Sequence, residues 1–196
     1  SIMFDRYDVL PSIRMSLMLS CASTIVDLVV GIGVAYMLAR RRFWGSSALD
    51  AAVMLPLALP GLVIAFGYVG CFSGTIVDPR DNPTILLIAA YGMRRLPFMV
   101  RAVHAGLSQS NVELEEASLN LGATPTRTMV RITVPLVITN VLAGAILCFS
   151  FAMLEVSDSL ILAMKSQYYP ITKRIYAMSM TIGEGGGHAV VVPDRW

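Results

Sequence analysis

Long apolar runs separated by short polar punctuation set the pattern of this chain. The first run, about Ile13 to Ala39, exceeds the roughly 20 residues a helix needs to cross a hydrocarbon core about 30 Å thick. It predicts one tilted spanning helix. Asp27 falls in its middle, where an unpaired carboxylate is costly, so it must face protein or water. Gly31, Gly33 and Ala35 offer a small-residue face for close helix packing. The second run, about Asp50 to Phe72, contains Pro56, Pro60 and Gly61, and its prolines must bend or break the helix. Gly74, Asp78, Pro79, Asp81, Asn82 and Pro83 then give the dense turn signal of a short external loop. A third run starts near Thr84 and meets Arg94 and Arg95 after only about ten residues, too few to span alone. With Pro97 and the apolar residues beyond it, it predicts one interrupted helix to about His104, its arginines on the cytoplasmic half. The fourth run, roughly Leu136 to Leu154, is nearly all apolar and small.

Between the third and fourth runs lies a charged island, Ser110 to Pro135. Ser110 followed by Glu113 has the spacing of a capping box and predicts a helix starting just after Ser110. Leu114, Ala117 or Ser118, and Leu121 form a narrow apolar stripe between Glu113, Glu115 and Glu116. Gly122 ends the helix as a left-handed glycine does, and Thr124 with Pro125 caps and restarts it. The prediction is two short amphipathic helices joined by a tight turn, a docking element for a soluble partner. Adsorption to the bilayer is disfavoured, since the first helix carries three glutamates and no basic residue.

Composition agrees with the run pattern. The 196 residues are 56% hydrophobic and 14% charged, with a mean hydropathy of +0.68. A soluble domain carries roughly a quarter charged residues. The fold class is therefore all-α, a polytopic membrane protein with about four visible transmembrane helices. A net charge of +2 without a basic, aromatic-rich patch excludes nucleic acid as a partner. Cys21, Cys71 and Cys148 are isolated in apolar runs and form neither a disulfide framework nor a metal-ligand spacing. The opening SIMFDRYDV is not a signal peptide. Arg40, Arg41 and Arg42 mark a cytoplasmic end. Counted with Arg94, Arg95, Arg101, Arg127 and Arg131, they outweigh Arg6, Arg80, Lys165, Lys173 and Arg174 outside. His104 is an interfacial or packing residue. Tyr168 and Tyr169 fit an interface belt, and the glycine-rich tail with Glu184 and His188 reads as a flexible loop rather than a metal site.

The island also resembles a known family. Glu116-Ala117-Ser118, Gly122, Ile132 and Val134-Pro135 follow the pattern E-A-A-x3-G-x9-I-x-L-P of inner-membrane permease subunits of type I ATP-binding cassette importers, departing only at Ser118 for Ala and Val134 for Leu. The likeness is nearest to the iron(III), sulfate and polyamine branch. It implies that a cytoplasmic coupling loop, 108–135, lies within a single permease domain, 1–196, whose usual six-helix core is incomplete at both ends here. It further implies that the loop inserts in a cleft of an ATPase subunit, which couples ATP hydrolysis to alternating access. Glu115, Glu116, Ala117, Ser118, Gly122, Ile132 and Pro135 are its expected coupling residues. Glu116 would be the polar contact, Ala117 the close-packing point and Gly122 the turn.

The implied protein is a solute-importing, multi-pass permease of a bacterial-type cytoplasmic (inner) membrane. Its partners would be the ATPase, a second permease subunit or half, an extracytoplasmic solute-binding protein and membrane lipid. No phosphate-binding G-x-x-x-x-G-K-[ST] loop occurs in the sequence, so ATP and Mg belong to the partner ATPase and the chain is not itself an enzyme, with no catalytic residue, bound cofactor or metal. Candidate pathway residues are Pro56, Pro60 and Gly61 at the broken helix, and Glu155 and Asp158, one turn apart beyond the fourth run. Capping of the next segment competes with a pathway role for the two carboxylates. An ATP-independent carrier or channel would use the bent second helix without needing the loop. A membrane-embedded enzyme would need its ionisable groups clustered, whereas Asp27, Asp50, Glu155 and Asp158 are scattered along the sequence.

Overall fold

A computed structural model describes residues 9–40 and 44–184. Among them every regular element is helical. The elements are α1 (Val9–Arg40), α2 (Ser46–Ala58), α3 (Gly61–Phe72), α4 (Thr84–Gln109), α5 (Glu113–Asn120), α6 (Pro125–Leu136), α7 (Ile138–Met153), α8 (Ser157–Leu162), a 3-10 turn (Ser166–Tyr168) and α9 (Ile171–Glu184). His188 lies outside the described residues, as do Arg6, Arg41 and Arg42.

The bundle is built on α1, α4 and α7, and its packing inverts the rule for soluble proteins. The buried stripe of α1 is small or polar, with Ser12, Ser16, Ser20, Ser23, Asp27, Gly31 and Ala35 at three- and four-residue spacing. Its outward face is Leu17, Met18, Ile25, Val26, Val29 and Val30. Where lipid is the solvent, helices gain by close backbone approach rather than by hiding leucine, and small residues gather between them. A Cβ on Gly31 would stand 2.5 Å from Met99 Cγ of α4, so this crossing tolerates no side chain there without movement. Gly33, expected on the same face, meets nothing within 4 Å. The apolar centre of the bundle includes Met99, Val100 and Val103 of α4 with Val141 and Cys148 of α7.

The second run breaks at Pro60 rather than Pro56. Pro56 is accommodated inside α2, while Leu59 is extended (φ −95°, ψ 135°) and α3 leaves at 103° to α2. The third run is continuous. Pro97 is buried inside α4, whose 26 residues pass it without a break. The last of the four runs becomes α7, set at 79° to α6 across Val137.

By length and composition α1 alone is clear as a membrane span, and the total rises to three if each bent pair is one span. The expected four spans are not reached on that criterion. α4 is long enough, at about 1.5 Å per residue, but carries Arg94, Arg95 and Arg101. Arg94 and Arg95 sit on the middle of α4 and pair with Glu155 and Asp158, contacts that the sequence reading did not foresee. Lys173 is buried rather than solvated. Its Nζ donates to the carbonyls of Leu160 (2.9 Å) and Ala163 (2.6 Å), closing the end of α8.

The loop between α3 and α4 turns as its composition predicts. Gly74 takes a positive φ of 76°. Asp78 accepts from the amides of Gly74 (2.7 Å) and Arg80 (2.9 Å), and these bonds hold its carboxyl below the ordinary carboxylate pKa.

Candidate functional site

The island folds as two helices joined by a tight turn, with one change at its start. Ser110 does not form the capping box. It closes α4, donating to Leu107 O (2.9 Å), and its Oγ accepts from Arg40 Nη2 (2.6 Å). Asn111 replaces it, accepting from the Glu113 amide (3.0 Å) while its own amide reaches the Glu113 carboxylate (3.1 Å). An Asx side chain two residues before an amide caps as well as a serine three residues before it, so the spacing alone favoured the wrong residue. Gly122 ends α5 at φ 86°, and Thr124 Oγ1 accepts from the Arg127 amide (3.4 Å) ahead of Pro125. Between the helices Ser118 Oγ and Thr128 Oγ1 stand 2.9 Å apart, with Thr128 fully buried. α6 widens to a π-turn over Met129–Thr133, a feature with no signal in the sequence.

Side-chain exposure divides the expected coupling residues. Glu115 is 4% exposed, and its Oε1 accepts from Arg40 Nη2 (3.0 Å) and Nε (3.1 Å). Glu116, Ala117, Gly122 and Pro135 are exposed, whereas Ser118 and Ile132 are half-buried. Leu114 and Leu119 are partly uncovered, at 49% and 41%, and Leu121 is 89% exposed. The loop thus offers an apolar and acidic surface that nothing among the described residues covers, on a base clamped to α1.

A second cluster gathers charges distant in sequence. Arg95, buried, donates to the carbonyls of Tyr91 and Phe151 (2.9 Å each) and to the Glu155 carboxylate, and lies over the Tyr91 ring. Arg94 Nη1 stands 3.4 Å from Glu155 Oε1 and 3.6 Å from Asp158 Oδ1. Glu155 also accepts from the Asp158 amide (3.3 Å), so it does cap α8. A Cβ placed on Gly61 would lie 2.0 Å from Arg94 Nη1 and 3.0 Å from Ser157 Cβ. Three of the five candidate pathway residues, Gly61, Glu155 and Asp158, therefore meet around Arg94, with Pro60 starting α3 beside them. Pro56 is buried within α2.

Asp27 faces Gly92 across the α1–α4 crossing, 1% exposed, as a mid-span carboxylate requires. The ionisable groups scattered in sequence are thus partly gathered in space. The sequence reading missed Arg40, Arg94 and Arg95 as site residues. Their signal was available, because an arginine inside an apolar segment needs an acidic partner at its own depth.

A helical bundle with lipid-compatible outer faces, a broken helix and a buried charge cluster defines a membrane component, and its polar loop stands uncovered among the described residues. Residues 27–183 match the family described as the binding-protein-dependent transport system inner membrane component, and the chain belongs to that family. This bears out the resemblance read from Glu116 to Pro135. The family is one of membrane permeases rather than enzymes.

The chain is 32% identical over 171 residues to the molybdate/tungstate transport system permease protein WtpB of Thermococcus kodakarensis, covering 87% of this chain and 66% of that protein. It thus spans about two thirds of that relative's length. It is 31% identical over 157 residues to the molybdenum transport system permease protein ModB of Haemophilus influenzae, covering 74% of this chain and 67% of the relative. The fold is shared with a solved chain of a bacterial ABC transporter involved in the import of the acidic polysaccharide alginate. The TM-score is 0.65 at 18% identity, over 89% of this chain and 69% of that one.

Proposed function

We infer that the chain is a pathway-forming permease subunit of an ATP-binding cassette importer, working by alternating access, with α1, the α2–α3 pair, α4 and α7 as its spanning segments. The loop from Ser110 to Pro135 receives force from a separate ATPase, which holds the ATP and Mg. A second permease subunit completes the pathway and an extracytoplasmic binding protein delivers the solute. The observation that carries this reading is the loop's division of labour. Glu115 is fixed to α1 through Arg40, while Glu116, Ala117, Leu121 and Gly122 face outward. A surface that moves and a base that transmits are what coupling requires. An ATP-independent carrier has no use for that arrangement.

The solute class we assign is a tetrahedral oxyanion. Relatives named for molybdate, tungstate and sulfate transport support it.

The test is co-purification with a P-loop ATPase, together with ATP-dependent uptake of molybdate or sulfate into proteoliposomes. Glu116→Lys and Gly122→Asp should abolish both. Unchanged ATPase binding and transport in both variants would overturn the assignment.

A further inference from the structure

The two arginines of the buried cluster are held very differently. Arg95 is enclosed, 5% exposed at its side chain, and carries two carbonyls, a carboxylate and an aromatic face. Only its Nε is left without a partner, and that atom is buried out of solvent. Arg94 is 24% exposed, and its contacts to Glu155 and Asp158 are long, at 3.4 and 3.6 Å. Asp158 is fully buried, yet neither of its carboxylate oxygens has a hydrogen bond. A buried carboxylate left this loosely engaged marks a partner free to move, since a settled pair closes to hydrogen-bond distance.

The backbone around Arg94 is also prepared. Its guanidinium lies on Gly61, in space that any Cβ would fill. Gly61 opens α3 directly after the 103° break. The Pro60 carbonyl accepts the amides of Val63 (3.0 Å) and Ile64 (3.3 Å), and no side chain caps the helix. The amides of Gly61 and Leu62 have no acceptor among the described residues. The amino terminus of a twelve-residue helix, with its dipole and two free amides, thus lies beside a partly open guanidinium.

We propose that Arg94 is the solute-binding contact of the pathway, a guanidinium that exchanges Glu155 and Asp158 for the transported oxyanion at the amino terminus of α3. The proposal rests on the oxyanion reading above and names the residue that acts in it. With the pathway empty, the carboxylates neutralise Arg94. An oxyanion, which can take the guanidinium and the α3 amides together, replaces them, and the carboxylates restore the neutral state after it leaves. Arg95 is a positioning residue, holding Glu155 in place through the exchange.

The experiment uses the full permease with its ATPase and binding protein in proteoliposomes, with molybdate and sulfate as probes. Arg94→Gln should lower ATP-driven uptake of both at least tenfold while still co-purifying with the ATPase. Arg94→Lys, which keeps the charge and loses the fork, should recover part of the rate. Asp158→Asn, which weakens the competitor, should lower the apparent KM for molybdate severalfold, a change opposite to that from damaged packing.

Wild-type uptake by Arg94→Gln overturns the proposal and leaves the oxyanion reading standing. Should Arg94→Gln fail to assemble, Asp158→Asn decides alone, and an unchanged or raised KM overturns the proposal. Absence of ATP-driven uptake of either anion by the wild-type complex overturns the oxyanion reading itself, and the proposal with it.

Discussion

Arg40 at the end of α1 and Glu115 in the first turn of α5 form an ion pair at 3.0 Å with side chains 11% and 5% exposed, joining positions 75 residues apart. The same guanidinium nitrogen reaches Ser110 Oγ at the end of α4. One side chain therefore ties the longest helix, the central helix and the loop helix into one corner. Removing one partner of a buried pair strands the other charge, at about 3–5 kcal/mol. Glu115→Ala should lower the unfolding temperature and raise the ATP hydrolysed per solute imported. The double exchange Arg40→Glu with Glu115→Arg should recover part of both. Measuring thermal unfolding and the hydrolysis-to-uptake ratio on the same preparations separates a clamp from a passive contact. A ratio unchanged in Glu115→Ala would remove the clamp from the coupling route.

The turn of the loop depends on Gly122. At φ 86° an L residue pays roughly 1 kcal/mol or more, and asparagine less than alanine because its short polar side chain tolerates this region. Gly122→Ala should therefore loosen the α5–α6 angle more than Gly122→Asn. Hydrogen exchange of the Ala123 amide, which bonds Ser118 O at 3.2 Å, should rise in that order. Equal exchange in the two variants would show that the turn is held from elsewhere.

Ser118 tests whether the departure from the family's alanine matters. Its hydroxyl pairs with Thr128, which is buried and has no water to fall back on. Ser118→Ala should cost about 1–3 kcal/mol through the stranded Thr128 hydroxyl. Adding Thr128→Val removes the stranded group and should restore most of the loss. Non-additivity of this sign, read from the two single variants and the double, checks the pair.

The helical class, the loop's two helices, the Gly122 turn and the burial of Asp27 were legible because each follows from local rules. Spacing, one glycine and the cost of a lone carboxylate in an apolar run were enough. The continuity of α4 through Pro97 was not legible, because proline's penalty is set by what surrounds it. Pro97 is buried in a helix supported on both sides by α1 and α7, and tertiary packing overrode the local preference. The Arg94–Glu155 contact lies beyond any local rule, since its partners are 61 residues apart. The apolar-run reading put Arg94 and Arg95 on the cytoplasmic half of that helix and sought no acidic partner for them, although complementary charge is what lets an arginine be buried.

The α3–α4 loop has a pH response whose sign is fixed. Asp78 is held below the ordinary carboxylate value by the amides of Gly74 and Arg80. Its contribution is therefore present above the unfolded carboxyl's pKa, 3.8, and is lost as pH falls through the lower, folded value. The protection factors of the Gly74 and Arg80 amides, which are corrected for the intrinsic pH dependence of exchange, should be high at neutral pH and fall toward the acid end. Asp78→Asn should show the faster exchange at every pH. A flat profile in the wild-type chain would show that the two amides are protected by something other than the carboxylate.

Gly61 separates the role of Arg94 from the stability of the cluster. Alanine there would place a methyl 2.0 Å from Arg94 Nη1 and 3.0 Å from Ser157 Cβ. The guanidinium is the end of a flexible chain and can swing away, so little stability should be lost. Arg95, whose bonds to Tyr91, Phe151 and Glu155 do not involve Gly61, should keep the bundle together. The opposite pattern is expected for Arg95→Gln, which leaves Glu155 with only its longer contacts to Arg94 and the Asp158 amide and removes the charge that holds two carbonyls. Gly61→Ala should thus unfold near the wild-type temperature and lose most of its uptake, whereas Arg95→Gln should unfold early. Thermal unfolding with uptake, measured on both variants, decides the matter. If Gly61→Ala were both stable and fully active, the position of Arg94 over the α3 terminus would have no part in transport.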